Sequence, residues 1–226
     1  MPLIAYALLF SGIASVSILL VLLRDIRVRG GSSALLLFSF AAGFCAAFPA
    51  WFLEKEILPM TKWITGIEGD ALRAFCIAGL IEEGIKTLTL IALSWSKSFR
   101  RPSDGIRLAL ALGLGFAFSE NIFFSLENPL TLLLRGITSV PLHALAPAIT
   151  GWTLSQSRFA YKPLLPFGFT AALILHGAYD FFLLHGGPPR YISFAIPALL
   201  LFAVLHLFRR TRALENYARR KTRSGN

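Results

Sequence analysis

Charge is scarce in this chain. Of its 226 residues, 22 are Lys or Arg and 12 are Asp or Glu, so 15% are charged, against about a quarter in an average soluble domain. With 55% hydrophobic residues and a mean hydropathy of +0.65, this excludes an ordinary water-soluble domain and defines a membrane protein. Cysteine is scarce as well. Cys45 and Cys76 both lie in apolar segments without metal-type spacing, which excludes a disulfide framework and predicts two small buried side chains. There is no HExxH helix, so the common zinc-protease signature is missing. No serine or cysteine stands beside a histidine in a nucleophile setting, which disfavours an acyl-enzyme. Low-complexity stretches, a soluble domain and an internal repeat are also lacking. The opening run "MPLIAYALLFSGIASVSILLVLLRDIR" has no basic region ahead of it and no clear cleavage site, and is expected to be a retained first span rather than a removed signal peptide.

What the chain does have is long apolar runs. A bilayer core about 30 Å thick needs around 20 apolar residues per helix, and seven candidates meet that measure, roughly 3–23, 34–53, 71–94, 106–126, 130–155, 163–184 and 191–208. The breakers "RGGSS", "RRPSDG", "ENP", "YKP" and "HGGPPR" fall between them. The expected fold is therefore all-α and polytopic, with residues 1–208 forming a single transmembrane domain and 209–226 a basic tail.

The net charge of +10 does not point to nucleic acid, because most of the basic residues sit in short connecting segments where membrane topology places them. Arg24, Arg27 and Arg29 occupy one segment. Lys97, Arg100, Arg101 and Arg107 occupy the next on that side, followed by Arg158 and Lys162 and by the tail from Arg209. The alternate segments are acidic or nearly neutral. The positive-inside rule then puts the N-terminus outside and the tail in the cytoplasm, where the tail is expected to lie against anionic lipid.

Against this background, ionisable residues within the spans stand out. Burying a charge at mid-bilayer is costly, so such groups usually face inward and serve function. The third candidate carries Glu82, Glu83 and Lys86, the fourth Glu120 and Asn121, the fifth His143, and the sixth His176 and Asp180. Glu82 with Lys86, and His176 with Asp180, are four residues apart and share one helix face. Glu83 points about 100° away from Glu82. Counted at about 1.5 Å per residue from the outer ends, these groups lie roughly 6 to 20 Å deep, and one water-accessible site opening to the outer side accounts for that overlap. Arg135, near an outer end, is expected to snorkel as a structural residue. His185 and His206 are given no role. "GLGFAF", residues 113–118, reads as close helix packing rather than a nucleotide loop, since no strand precedes it.

Two glutamates, two histidines and an aspartate in a low-dielectric cavity are the parts needed to activate water for amide hydrolysis. Glu82, Glu83, His176, Glu120, His143 and Asp180 are the candidate catalytic residues. The same groups admit Zn²⁺, held by His143, His176 and a carboxylate from Asp180 or Glu120, with Glu82 or Glu83 as base. A metal-free scheme with glutamate-activated water is equally open.

The order "EEGIK" (82–86), "FAFSEN" (116–121), the histidine of "PLHALAP" (143) and "HGAYD" (176–180) resembles the PrsW family of intramembrane proteases, itself related to CAAX prenyl proteases and bacteriocin-processing membrane proteins. The resemblance covers roughly residues 70–185. Lys86 stands where the CAAX branch has an arginine one position later, and Glu120 stands where it has a histidine. Both departures favour PrsW and argue against prenylated substrates. The resemblance implies a multi-pass protease of the bacterial plasma membrane that makes the first, extracytoplasmic-side cut in a single-span anti-sigma factor. It also implies that Glu82, Glu83 and His176 are essential. Two other classes remain in view. A proton- or cation-coupled carrier also places Glu, His and Asp in spans, although no inverted repeat is seen. A non-catalytic, immunity-type membrane protein would keep the spans without needing the whole ionisable set.

Overall fold

The computed structural model describes the backbone of residues 2–127 and 131–224, and the side chains of residues 12–124, 134–218, 220 and 221. Among the described residues the chain is helical and has no strand. Its elements are α1 (Pro2–Arg29), α2 (Ser33–Ile57), α3 (Gly66–Ala71), α4 (Leu80–Ser94), α5 (Pro102–Glu127), α6 (Thr131–Ile137), α7 (Ser139–Phe159), α8 (Leu165–His185) and α9 (Ile192–Ser224). A π-helical stretch, Leu72–Gly79, joins α3 to α4, and short 3₁₀ turns precede α3 and α9.

Local chemistry explains the boundaries. Ser32 caps α2, its side chain accepting from the Leu35 N–H at 3.1 Å. Gly30 and Gly31, then Gly186 and Gly187, take positive φ values where α1 and α8 end, a region that other residues enter only at a steric cost. The breaker expected at "ENP" begins at Glu127, and residues 128–130 lie outside the described residues.

Helical stretches fall on all seven apolar runs, with three differences. The run expected at 71–94 begins earlier, at Gly66, and contains the π-helical stretch. The run expected at 130–155 is split at Thr138, whose hydroxyl turns back to the Leu134 carbonyl at 2.8 Å, competing with the helical ladder. The seventh does not stop near 208, because α9 continues as helix to Ser224. Among the described residues four segments, Ser33–Thr61, Pro102–Phe124, Leu165–His185 and Pro188–Ala218, are long and apolar enough to cross a membrane by length and composition.

The core is organised around α5, which packs between α2 and α7 and also meets α1. Ile106, Leu112, Leu114 and Ala117 are fully buried there. The approach is close because side chains are missing where the backbones meet. A Cβ on Gly113 would lie 1.8 Å from the His143 carbonyl, and one on Gly115 would lie 1.9 Å from the Phe40 carbonyl. Without a hydrophobic drive between helices in lipid, such small-residue contacts and interhelical hydrogen bonds hold the bundle together; Ser39 Oγ donates to the Leu108 carbonyl at 2.7 Å. The outer surface is apolar, with Leu20, Phe38, Leu88 and Phe202 exposed. Cys45 and Cys76, expected to be buried, are exposed on that surface. An apolar environment in a membrane protein can be lipid as well as core.

Candidate functional site

The site begins with the register of α4. Glu82, Glu83 and Lys86 are buried, and Lys86, fully enclosed, places its ammonium over the Phe116 ring at 4.0 Å. Its Nζ donates to Glu82 Oε2 at 2.9 Å and to Glu83 Oε1 at 3.0 Å, and lies 3.0 Å from His143 Nδ1. An ammonium has three donors and no acceptor, so all three are used and Nδ1 of His143 is an acceptor. The neutral ring therefore carries its proton on Nε2, the nitrogen 2.7 Å from Glu120 Oε2.

His176 arrives on α8. Gly177 lets that helix sit against the π-helical stretch: a Cβ on Gly177 would lie 2.4 Å from the Phe75 ring, and a Cβ on Gly79 would touch the Leu173 carbonyl at 3.4 Å. The result is a ring held by acids on both sides. His176 Nδ1 is 2.8 Å from Glu83 Oε1, and its Nε2 is 3.3 Å from Asp180 Oδ2 and 3.8 Å from Glu82 Oε2. The two imidazoles meet edge to face, with ring centroids 5.0 Å apart. The structure thus brings together all six residues singled out in the sequence, on α4, α5, α7 and α8.

The two adjacent glutamates have different surroundings. Glu82 lines a cavity of about 320 Å³ between α2, α4 and α5, together with Glu120, Trp51, Phe116, Phe123 and Phe124. Glu83 is wholly buried behind it and holds His176. Two further charged residues belong here that the sequence reading had not placed. Glu54 of α2 lines the same cavity, and its Oε1 is buried with no hydrogen-bond partner. It lies near the end of an apolar run beside Lys55 and Glu56, where it reads as part of an acidic outer loop. Arg135, expected to snorkel outward, instead turns in: Nη2 is 2.7 Å from Glu120 Oε2, Nε donates to Asn121 Oδ1 at 2.8 Å, and the guanidinium lies 3.8 Å from the Phe124 ring centre.

Among the described residues, the group whose donor atoms lie close enough to hold an ion is Glu82, His143 and His176, all within 4.8 Å of one another. The carboxylate that approaches both imidazoles is therefore Glu82, whereas Asp180 stands against His176 and Glu120 against His143. Two histidines and one glutamate are the donor types of a catalytic zinc site with an open position, so the residues present fit such an ion. The fit has one condition. The Nδ1 lone pair of His143 serves either Lys86 or an ion.

Among the described residues the chain is all helical, with Glu82 and Glu120 at the wall of a cavity and two imidazoles buried against them, an arrangement that suits the class of membrane-embedded hydrolases. Comparison with known proteins narrows it. A profile of the PrsW family of intramembrane metalloproteases matches residues 31–207, and the chain belongs to that family. Protease PrsW of Shouchella clausii is 30% identical over 168 residues, covering 72% of this chain and 73% of its own length. Protease PrsW of Oceanobacillus iheyensis is 29% identical over 182 residues, covering 78% and 82%. Protease PrsW of Bacillus subtilis is 30% identical over 151 residues, covering 64% and 67%. No solved structure matches the chain.

Proposed function

We propose that this protein is a multi-pass peptidase of the bacterial plasma membrane. It hydrolyses a peptide bond in a single-span membrane protein of the anti-sigma-factor type, making the first cut on the extracytoplasmic side. Seven spans with the N-terminus outside, a protease domain over 1–208 and a cytoplasmic tail over 209–226 complete this reading. It draws support from the alternation of basic segments, from the named relatives, and above all from one observation: Glu82, paired with buried Lys86, faces a cavity and stands 3.8 Å from His176 Nε2, close enough for one water beside them to touch both.

In this mechanism Glu82 is the base. It takes a proton from water as the water oxygen adds to the scissile carbonyl carbon, and Lys86 keeps the carboxylate aimed. The tetrahedral oxyanion is met by the His176 ring, which Glu83 and Asp180 hold in place. The proton gathered by Glu82 passes to the departing nitrogen, the C–N bond breaks, and an acid and an amine are released. Glu83 acts through His176 and is a positioning residue. Glu120 does the same for His143 and is itself fixed by Arg135. Were an ion bound, Glu82, His143 and His176 would hold it, and it would supply Lewis acidity at the carbonyl and a more acidic water.

The test is cleavage of a tagged panel of single-span membrane proteins in reconstituted vesicles. Glu82→Ala and His176→Ala are expected to abolish cleavage while leaving the protein folded. Full cleavage by both variants would remove the site, and ion flux in place of cleavage by the wild type would favour a carrier.

A further inference from the structure

On the far side of α5 from the Glu82 cavity, where the basic segments gather, three guanidiniums converge on one carboxylate. Asp25 of α1 accepts from Arg107 at 2.9 and 3.1 Å, pairs with Arg29 at 3.4 Å, and also takes Arg212 of α9. The neighbouring acids are already engaged. Asp104 accepts the backbone N–H groups of Arg100 and Arg101 at 3.0 and 2.9 Å and pairs with Arg107 Nη1 at 3.3 Å, which also donates to the Gly30 carbonyl at 3.1 Å, and Glu215 accepts the Ser103 N–H at 2.7 Å and its hydroxyl at 3.1 Å. At the cavity wall itself positive charge is in surplus, with three arginines to one glutamate. Arg29, Arg107 and Arg212 line a cavity of about 370 Å³ with Val28, Glu215 and Asn216, and Arg212 Nε is buried with no partner.

Beside this cavity runs a second, of about 510 Å³, between α1, α7 and α9, with Leu110 of α5 also lining it. It is apolar from Phe194 to Phe208, with Asp25 as its one charged lining residue. Phe208 joins the two cavities, since the guanidiniums of Arg107 and Arg212 lie 5.8 and 4.0 Å from its ring centre. The rise along α9 from Phe194 to Phe208 is about 21 Å. That exceeds the depth of one leaflet, about half of a ~30 Å hydrocarbon core.

We propose that the paired cavities bind one anionic glycerophospholipid, with its phosphate among Arg29, Arg107 and Arg212 and an acyl chain along the groove. Guanidinium forks match phosphate oxygens in geometry as well as charge, and basic pockets between membrane helices are suited to anionic head groups. A zwitterionic lipid brings its own cation against the arginines. A free phosphate leaves the leaflet-long groove unused. The bound lipid would join α1, α5 and α9 on the side of α5 away from the Glu82 cavity, and the proposal stands independently of any peptidase activity.

Native mass spectrometry of the full-length protein in detergent tests it, with phosphatidylglycerol, phosphatidylcholine and glycerol phosphate as separate probes. The wild type is expected to retain phosphatidylglycerol at least tenfold better than phosphatidylcholine, and not to retain glycerol phosphate. Arg29→Gln with Arg212→Gln is expected to remove that preference, leaving the two lipids retained to within about threefold of each other. Ala198→Trp, which fills the groove and leaves the arginines in place, is expected to lower retention of both lipids, and serves if the arginine variant does not fold. Equal retention of the two lipids by the wild type overturns the proposal. So does glycerol phosphate binding as well as the whole lipid, or an unchanged preference in a folded arginine variant.

Discussion

Replacing Lys86 by methionine keeps most of the side chain's volume and removes only its ammonium. In the wild type that ammonium makes contacts of 2.9 to 3.0 Å to Glu82, Glu83 and His143, and the lysine is fully buried. Lys86→Met therefore strands two buried carboxylates, and removing one partner of a buried ion pair costs about 3–5 kcal/mol. At about 2–4 °C per kcal/mol for a chain of this length, the melting temperature should fall by roughly 10 °C. Thermal unfolding of the detergent-solubilised protein, followed through its four tryptophans, measures this directly. Adding Glu83→Gln should restore a substantial part of the loss, because the second substitution removes one of the stranded charges. Cleavage should fall about tenfold or more even where Lys86→Met remains folded, since Glu82 then loses the ammonium that aims it. A melting temperature within about 2 °C of wild type, together with full cleavage, would refute the reasoning.

Three other outcomes follow from the same geometry. Gly113→Val places a side chain where even a Cβ would lie 1.8 Å from the His143 carbonyl, so α5 and α7 must part at a cost of about 1–3 kcal/mol. The substitution should lower both the melting temperature and cleavage, and unchanged values for both would show that the two helices are not in contact there. Glu54→Leu removes a buried carboxylate oxygen that has no partner, which should stabilise the fold by about 1–2 kcal/mol while reducing cleavage at least tenfold. A variant that is neither more stable nor less active would take Glu54 out of the site. In Lys86→Met the Nδ1 lone pair of His143 is released, so zinc retained after dialysis, measured by elemental analysis, should rise relative to wild type. A fall would show that Lys86 supports rather than competes with an ion.

Much of this arrangement was legible in the chain. The four-residue spacing of Glu82 with Lys86, and of His176 with Asp180, puts each pair on one face, and each pair is in contact along its own helix. The apolar runs gave the helices because length and hydropathy are enough to define them. What could not be read is what depends on the partner of a side chain. Arg135 has the stem length to reach solvent or Glu120, and nothing local decides between them. Glu54 looks like a loop acid until α4 and α5 close around it. Cys45 and Cys76 show that hydropathy does not separate a lipid-facing position from a core position, because both environments are apolar. The π-helical stretch carries no composition signal that periodicity would reveal.

That stretch, Leu72–Gly79, immediately precedes the two adjacent glutamates. A π turn accommodates one residue more than an α turn, so it works as a slack link that sets the rotational phase of everything after it. Tightening it by one residue would rotate α4 by about 100°, the angle between neighbouring positions on a helix. Glu83 would swing toward the place now held by Glu82, and Lys86 would leave the Phe116 ring. A single-residue deletion anywhere in that link, far milder in composition than any change of charge, would thus dial the acid pair away from its imidazoles.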